Sequence, residues 1–253
     1  MNNQTYEKLK ALRLGGMAEC YRDMLLDNPK ASLTAEELVT LMVDREEDRR
    51  HSNKRERLIK KAAFEQPRAS FSNLDYTTDR MLDRGIMLRL ESCEFIHDSR
   101  NIIIMGATGS GKSYLACAIG MSACRQLFSV RFTRMRALLD DMALASEIKQ
   151  AKVSKALNTC NLLIIDDWML SDTNAEETQF IYDLIHDREL SQQTSTVLCS
   201  QYDLLGCSLK MKDKTLSDAI YDRLAHNAYV INLSQNPNCP SMREKYGKNC
   251  YAL

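Results

Sequence analysis

Residues 101–113 read Asn-Ile-Ile-Ile-Met-Gly-Ala-Thr-Gly-Ser-Gly-Lys-Ser, an apolar run that opens directly into a glycine-rich octet. The octet fits G-x-x-x-x-G-K-[ST] at full spacing, and each residue type in it has a physical task. Gly106, Gly109 and Gly111 let the backbone curl without Cβ clashes. The N–H groups along Gly106, Ala107, Thr108, Gly109, Ser110 and Gly111 can then point inward at phosphate oxygens. A helix starting near Lys112 adds the positive end of its dipole. Lys112 can reach β- and γ-phosphates, and the Ser113 hydroxyl can ligate Mg²⁺. A plain glycine turn between strand and helix would require none of this spacing. The chain is expected to bind a nucleoside triphosphate with Mg²⁺.

Around this loop, short apolar runs rich in Ile, Val and Leu alternate with helical segments of ten to seventeen residues. The runs are Asn101–Met105, Ser129–Thr133, Leu162–Asp166, Ser195–Ser200 and Tyr229–Leu233, as expected for strands covered on both faces. Lys112–Leu127 and Ala175–Leu190 are two of the intervening helices. Five such units predict an α/β fold with a parallel, doubly wound sheet. Residues 1–66 hold no strand-like segment and read as a helical N-terminal domain. There Thr34 and Glu37 form a capping box, with Leu33 able to staple onto Leu38. Pro67 and the stretch Ala69–Asn73 break the helical pattern, so the second domain is placed at 67–253.

The composition narrows the function. Lys plus Arg and Asp plus Glu both number 34, so contact with nucleic acid must come from local patches rather than from overall charge. No apolar run reaches the roughly 18 residues of a membrane span, and the polar start Met1-Asn2-Asn3-Gln4 is no signal peptide, which points to the cytoplasm and no membrane partner. The nine cysteines contain no C-x-x-C pair and no histidine at zinc spacing. They read as small buried thiols rather than metal ligands or nucleophiles.

A second motif specifies the chemistry further. Leu162-Leu163-Ile164-Ile165-Asp166-Asp167 is a buried strand ending in two carboxylates. At the strand tip Asp166 can hold Mg²⁺ opposite Ser113, and Asp167 is placed to polarise an attacking water.

These motifs, together with others along the chain, resemble the AAA+ ATPases of the DnaC/IstB branch, most of all the IstB-like transposition helpers of insertion sequences. The similarity spans nearly the whole sequence. It begins at Leu9-Lys-Ala-Leu12-Arg13-Leu14-Gly-Gly-Met17-Ala18 and includes the arginine-rich helix ending in Glu56–Phe64. It continues through the phosphate loop and the paired aspartates to Asp218–Ala228 and Ser241-Met242-Arg243. The resemblance implies ATP as the nucleotide and Arg223 as an arginine finger that reaches the γ-phosphate held by a neighbouring subunit. It implies Gln201, beside Ser200 at the end of the fourth strand, as the sensor of the γ-phosphate. Arg243 reads either as a second phosphate sensor or equally as a contact to DNA or to a partner subunit, in an ATPase domain without a full C-terminal lid.

The family further implies a homo-oligomeric spiral on duplex DNA that bends the DNA and recruits the transposase. Candidate phosphate contacts are Arg49, Arg50, Arg55 and Arg57 in the helical domain, where basic residues outnumber acidic ones eight to four over 45–61. Arg131, Arg134 and Arg136 after the second strand are further candidates, as are Lys149, Lys152 and Lys155 before the third. Grouped basic side chains without a base-reading motif predict sequence-tolerant binding. The alternative is a DnaC-type helicase loader acting with single-stranded DNA. A monomeric small-molecule kinase and a non-hydrolysing adaptor would share the loop but need no finger between subunits.

Overall fold

The computed structural model describes residues 3–27, 34–76, 82–233, 241, 242 and 245. The chain divides into two compact units, residues 1–57 and 58–253, described here in turn.

The first unit is helical: α1 (Asn3–Ala11), α2 (Gly15–Tyr21) followed by a π-helical turn (Arg22–Asp27), and most of the 28-residue α3 (Ala35–Ala62). The capping box expected at the start of α3 is present. Thr34 N–H donates to Glu37 Oε2 at 2.8 Å, and Glu37 N–H donates to Thr34 Oγ1 at 3.2 Å. Leu33, the other half of the expected staple, lies outside the described residues. Glu46 of α3 is only 6% exposed, because its Oε2 accepts from Gly16 N–H at 2.7 Å and its Oε1 from Arg50 Nε at 2.7 Å. Burial pushes the Glu46 carboxyl up, but Arg50 and the Gly16 and Met17 amides outweigh it and hold it below the ordinary value. One carboxylate thus caps the start of α2 and fixes it to α3.

The second unit opens with the end of α3 and continues with a short 3₁₀ turn (Phe71–Asn73) and the helices α4 (Arg84–Glu91) and α5 (Glu94–His97). The alternating core then runs β1 (Asn101–Met105), α6 (Lys112–Arg125), β2 (Val130–Arg134), α7 (Met135–Ala143), α8 (Glu147–Thr159), β3 (Leu162–Asp166) and α9 (Ala175–Leu190). It ends with β4 (Ser195–Ser200), α10 (Leu204–Ser208), α11 (Lys214–His226) and β5 (Ala228–Asn232). All five strands are parallel, in the order β2-β3-β4-β1-β5. The parallel sheet expected from the sequence is therefore present. Two strands are displaced by one residue from the sequence reading, because register decides their ends: β2 pairs Val130 with Leu162 through Arg134 with Asp166, and β5 pairs Ala228 with Asn101.

Both sheet faces are covered, which explains the uninterrupted apolar strands. Leu162 and Ile164 of β3 pack with Phe64, Phe71, Phe95 and α6 residues such as Leu115 and Ile119. Leu163 and Ile165 pack on the opposite side with Met135, Leu138, Trp168, Ile181, Leu184 and Ile220. Residues 69–73, which read as a sequence break, put Ala69 and Phe71 into the first of these cores, joined by the adjacent Leu74. No helix among the described residues is long and apolar enough to cross a membrane.

Candidate nucleotide site

The carboxyl ends of β1, β3 and β4 meet at one edge of the sheet, where an open α/β sheet places its ligands. A cavity of about 770 Å³ opens there. It is lined by Thr108, Gly109, Gly111, Lys112 and Ser113 of the loop, by Asp167, Trp168, Cys199 and Gln201 at the tips of β3 and β4, and by Gln66, Asn73, Leu74, Asp75 and Tyr114. The size suits a nucleotide-sized ligand.

The loop from Gly106 to Gly111 has the backbone that the glycines were expected to permit. Gly109 and Gly111 stand at φ +81° and +94°, in the left-handed region that costs other residues energy. Gly111 forms the N-cap of α6, so the first-turn N–H groups of that helix face the cavity end of the loop. Lys112 Nζ donates to Gly106 O at 2.7 Å and Ala107 O at 3.0 Å, which holds the ammonium against the loop. Thr108 Oγ1 donates to Gln201 Oε1 at 3.3 Å, tying the tip of β4 to the loop. Met242 N–H donates to Gly109 O at 2.9 Å, and Lys245 Nζ lies 2.6 Å from Asp75 Oδ2. A segment far along the chain therefore lies against the phosphate loop.

The two aspartates differ sharply in their surroundings. Asp166 is 2% exposed, whereas the Asp167 side chain is nearly half exposed. Burial pushes the Asp166 carboxyl up; hydrogen bonds from the Ser113 hydroxyl and the Asp167 N–H oppose this, and the charges of Asp167 and Glu65 add to it. Asp166 Oδ1 is buried without a hydrogen-bond partner among the described residues. A buried carboxylate oxygen left unpaired beside a serine hydroxyl is a donor set that fits Mg²⁺, which takes one or two carboxylates and otherwise keeps water and phosphate oxygens. Asp166→Asn removes the buried charge. It is expected to raise the thermal midpoint measured in chelator by about 2–4 °C, equivalent to roughly 1 kcal/mol, while weakening Mg²⁺-dependent nucleotide binding.

Asp167 sits at φ +54° and Met169 at φ +53°, so the chain turns sharply after β3. Between them Trp168 is buried, its N–H bonded to Cys199 O at 2.8 Å and its indole Nε1–H to the Tyr221 hydroxyl at 3.1 Å. Asp167 Oδ2 lies 3.8 Å from Arg134 Nε, and the same guanidinium donates to Glu65. Cys199 reaches the cavity wall, but burial holds its thiol well above the ordinary value, and it stays protonated.

The other sequence candidates are distributed as follows. Arg223, on α11, is not among the cavity residues; it pairs with Glu189 of α9. Arg243 lies outside the described residues. Arg134 at the end of β2 and Arg136 in the first turn of α7 carry ion pairs, the first with Glu65 and Asp167, the second with Asp140 and Glu177. Arg131 lies within β2. Lys149, Lys152 and Lys155 are exposed at three-residue spacing along α8. Arg49, Arg50, Arg55 and Arg57 are exposed on α3, with Arg50 bonded to Glu46. Glu65, Trp168, Tyr221 and Glu189 were not singled out by sequence. Their partners lie 69, 53 and 34 residues away for the Glu65–Arg134, Trp168–Tyr221 and Glu189–Arg223 contacts (134−65, 221−168, 223−189), beyond any local pattern.

Residues 7–249 match the family model described as IstB-like ATP binding protein. An insertion-sequence ATP-binding protein of Sinorhizobium fredii is 32% identical over 231 residues, covering 91% of this chain and 93% of the relative. The ATP-binding protein of insertion sequence IS1162 from Pseudomonas fluorescens is 33% identical over 202 residues, 79% of this chain and 87% of its own. Among solved structures, the crystal structure of DnaI superposes with a TM-score of 0.57 at 19% identity, covering 70% of this chain and 91% of that one. That likeness concerns the fold.

Proposed function

The chain belongs to the IstB-like family of insertion-sequence ATP-binding proteins, and from that premise we propose that it is a Mg²⁺-dependent ATPase that assembles on duplex DNA and serves transposition. One observation carries the reading: Lys112, Ser113, Asp167 and Gln201 line a single cavity from three strand ends, and the buried Asp166 accepts from Ser113 beside it. Lys112 exchanges its loop carbonyls for β- and γ-phosphate oxygens, and the loop amides and the α6 dipole hold the same charge. Ser113 and Asp166 would hold Mg²⁺, which neutralises charge on the β- and γ-phosphates when bound. Asp167, open to solvent, accepts the proton of the attacking water, and Gln201 orients the γ-phosphate end of the site. Arg223 of a neighbouring copy supplies the guanidinium that stabilises the transferring phosphoryl group, and Arg243 serves as a second sensor.

The family reading extends to partners. ATP drives homo-oligomerisation on duplex DNA, the assembly bends the DNA and recruits the cognate transposase, and hydrolysis releases it, all in the cytoplasm and on the nucleoid. Division of labour falls at residues 66/67, with partner contact in the helical N-terminal part and ATP chemistry beyond it. Of the basic groups, Lys149, Lys152 and Lys155 are the best suited to phosphate contact, because they are exposed along one helix, whereas Arg134 and Arg136 already face carboxylates. Arg49, Arg55 and Arg57 on α3, and Arg131 on β2, complete the proposed contact set.

Particle mass with ATP, compared on duplex and single-stranded DNA of equal length, tests this function. Large assemblies on duplex DNA alone are expected. A preference for single strands would favour a helicase loader, and a monomer under every condition would end the reading. Lys112→Ala is expected to weaken ATP binding by about 10- to 100-fold, through loss of a charge-assisted contact of roughly 1.5–3 kcal/mol, and to abolish assembly.

A further inference from the structure

Arg223 does not lie loose on the surface of α11. Its Nη1 donates to Ala219 O at 2.9 Å, one turn earlier on the same helix. Its guanidinium carbon lies 5.3 Å from the centroid of the Tyr182 ring. Tyr182 in turn stacks on His186 at 5.8 Å with the two rings nearly parallel. Arg223 Nε is 2.9 Å from Glu189 Oε2, in charge contact without the alignment of a hydrogen bond. The side chain is 24% exposed, and its Nη2 makes no hydrogen bond among the described residues. Two of the three restraints therefore come from α9, and the outer amino group keeps its donors unused by hydrogen bonds among the described residues.

We propose that Glu189 is a positioning residue for Arg223, holding the guanidinium over Tyr182 so that its outer amino group is presented to the γ-phosphate bound by the next copy of the chain. This rests on the reading of Arg223 as a finger that acts in trans. An ion pair with a half-exposed carboxylate contributes little to fold stability, so holding the helices together is a weak reason for the contact. Orientation is a stronger one. A free arginine has many rotamers, and immobilising it at the moment of phosphate contact is costly; a side chain already fixed at the ring, the carbonyl and the carboxylate loses less. The imperfect alignment at Nε also matters. The carboxylate restrains the guanidinium without saturating it, and the pair yields readily to a phosphate oxygen that offers better geometry. Tyr182 supplies a flat apolar support that does not compete for the donors.

The test uses full-length protein assembled with ATP on duplex DNA. Glu189→Ala, and Glu189→Gln as the variant that keeps the shape of α9, are expected to lower kcat by about 3- to 10-fold, with KM for ATP and the thermal midpoint unchanged. The decisive arm mixes Glu189→Ala with an excess of Asp167→Asn chains. Nearly every working site then combines an intact Asp167 from the first chain with an Arg223 still held by Glu189 in its neighbour. The rate per working site is expected to return to the wild-type value. A lowered rate that persists in the mixture would overturn the proposal, because Glu189 would then serve its own site. Unchanged kcat in both variants would overturn it as well. If Arg223→Ala stalls turnover while Glu189→Ala does not, only the positioning role fails; if Arg223→Ala turns over normally, the finger reading fails with it.

Discussion

Asp167→Asn is expected to lower ATP turnover by about two to four orders of magnitude while leaving ATP binding intact. The two carboxylates at the end of β3 are adjacent in sequence but face different surroundings. Asp166 is buried, accepts from Ser113 and leaves one oxygen without a hydrogen-bond partner among the described residues, an environment for a cation. Asp167 is turned out of the strand by its left-handed backbone and is nearly half exposed, an environment for water. Asparagine keeps the size of the side chain and its reach toward Arg134 but cannot take a proton. The lost factor corresponds to roughly 3–5 kcal/mol in the barrier. Steady-state phosphate release and nucleotide titration on the same protein measure the two quantities separately. Normal turnover in the variant would assign the proton acceptor to another group. A collapse of nucleotide affinity would mean that Asp167 belongs with the metal ligands instead.

Arg188→Met is expected to cost the most stability of any single change considered, about 3–5 kcal/mol, or roughly 10 °C in the thermal midpoint. Arg188 near the end of α9 is 4% exposed, and its contacts are with neutral groups rather than a carboxylate. It donates from Nε to Thr196 Oγ1 at 3.0 Å, from Nη1 to Leu157 O at 2.5 Å and Cys160 O at 3.1 Å, and from Nη2 to Ser195 O at 2.6 Å. The rigid fork thereby joins the end of α8, the approach to β3 and the start of β4. Methionine fills much of the volume but leaves three buried carbonyls without this donor, which is the costly half of losing a hydrogen bond. Arg188→Lys is expected to rescue little, since one ammonium cannot span the same acceptors. These contacts lie at the opposite end of β4 from Gln201, so ATP affinity measured well below the midpoint is expected to stay near wild type. A shift of less than 2 °C for Arg188→Met would show that the carbonyls find other partners.

Much of the fold was legible because its determinants are local. The phosphate loop, the strand ending in Asp166 and the Thr34–Glu37 cap each consist of neighbouring residues whose chemistry implies their geometry. Five apolar runs separated by helices imply a parallel sheet by the same logic. Pairing across long separations was not legible. Nothing local in Asp187-Arg188-Glu189 marks Arg188 as a core residue; only the meeting of α8 with β4 makes it one. Arg134 and Arg136 read, with Arg131, as candidate phosphate contacts, but Glu65 and Glu177, from distant parts of the sequence, face them. Pro67 and residues 69–73 read as a break because proline and serine interrupt periodicity, yet Ala69 and Phe71 within that stretch still reach the core.

The sequence contains one tryptophan, and it is the residue immediately after Asp167. Trp168 borders the nucleotide cavity, is 2% exposed, and donates through its indole to Tyr221, two positions before Arg223. The protein therefore carries a single indole between the carboxylate proposed to take the water's proton and the helix that bears the proposed finger. Under excitation selective for indole, its emission comes from that one point. Nucleotide binding and turnover can be followed there in unlabelled protein, without dyes that would disturb assembly.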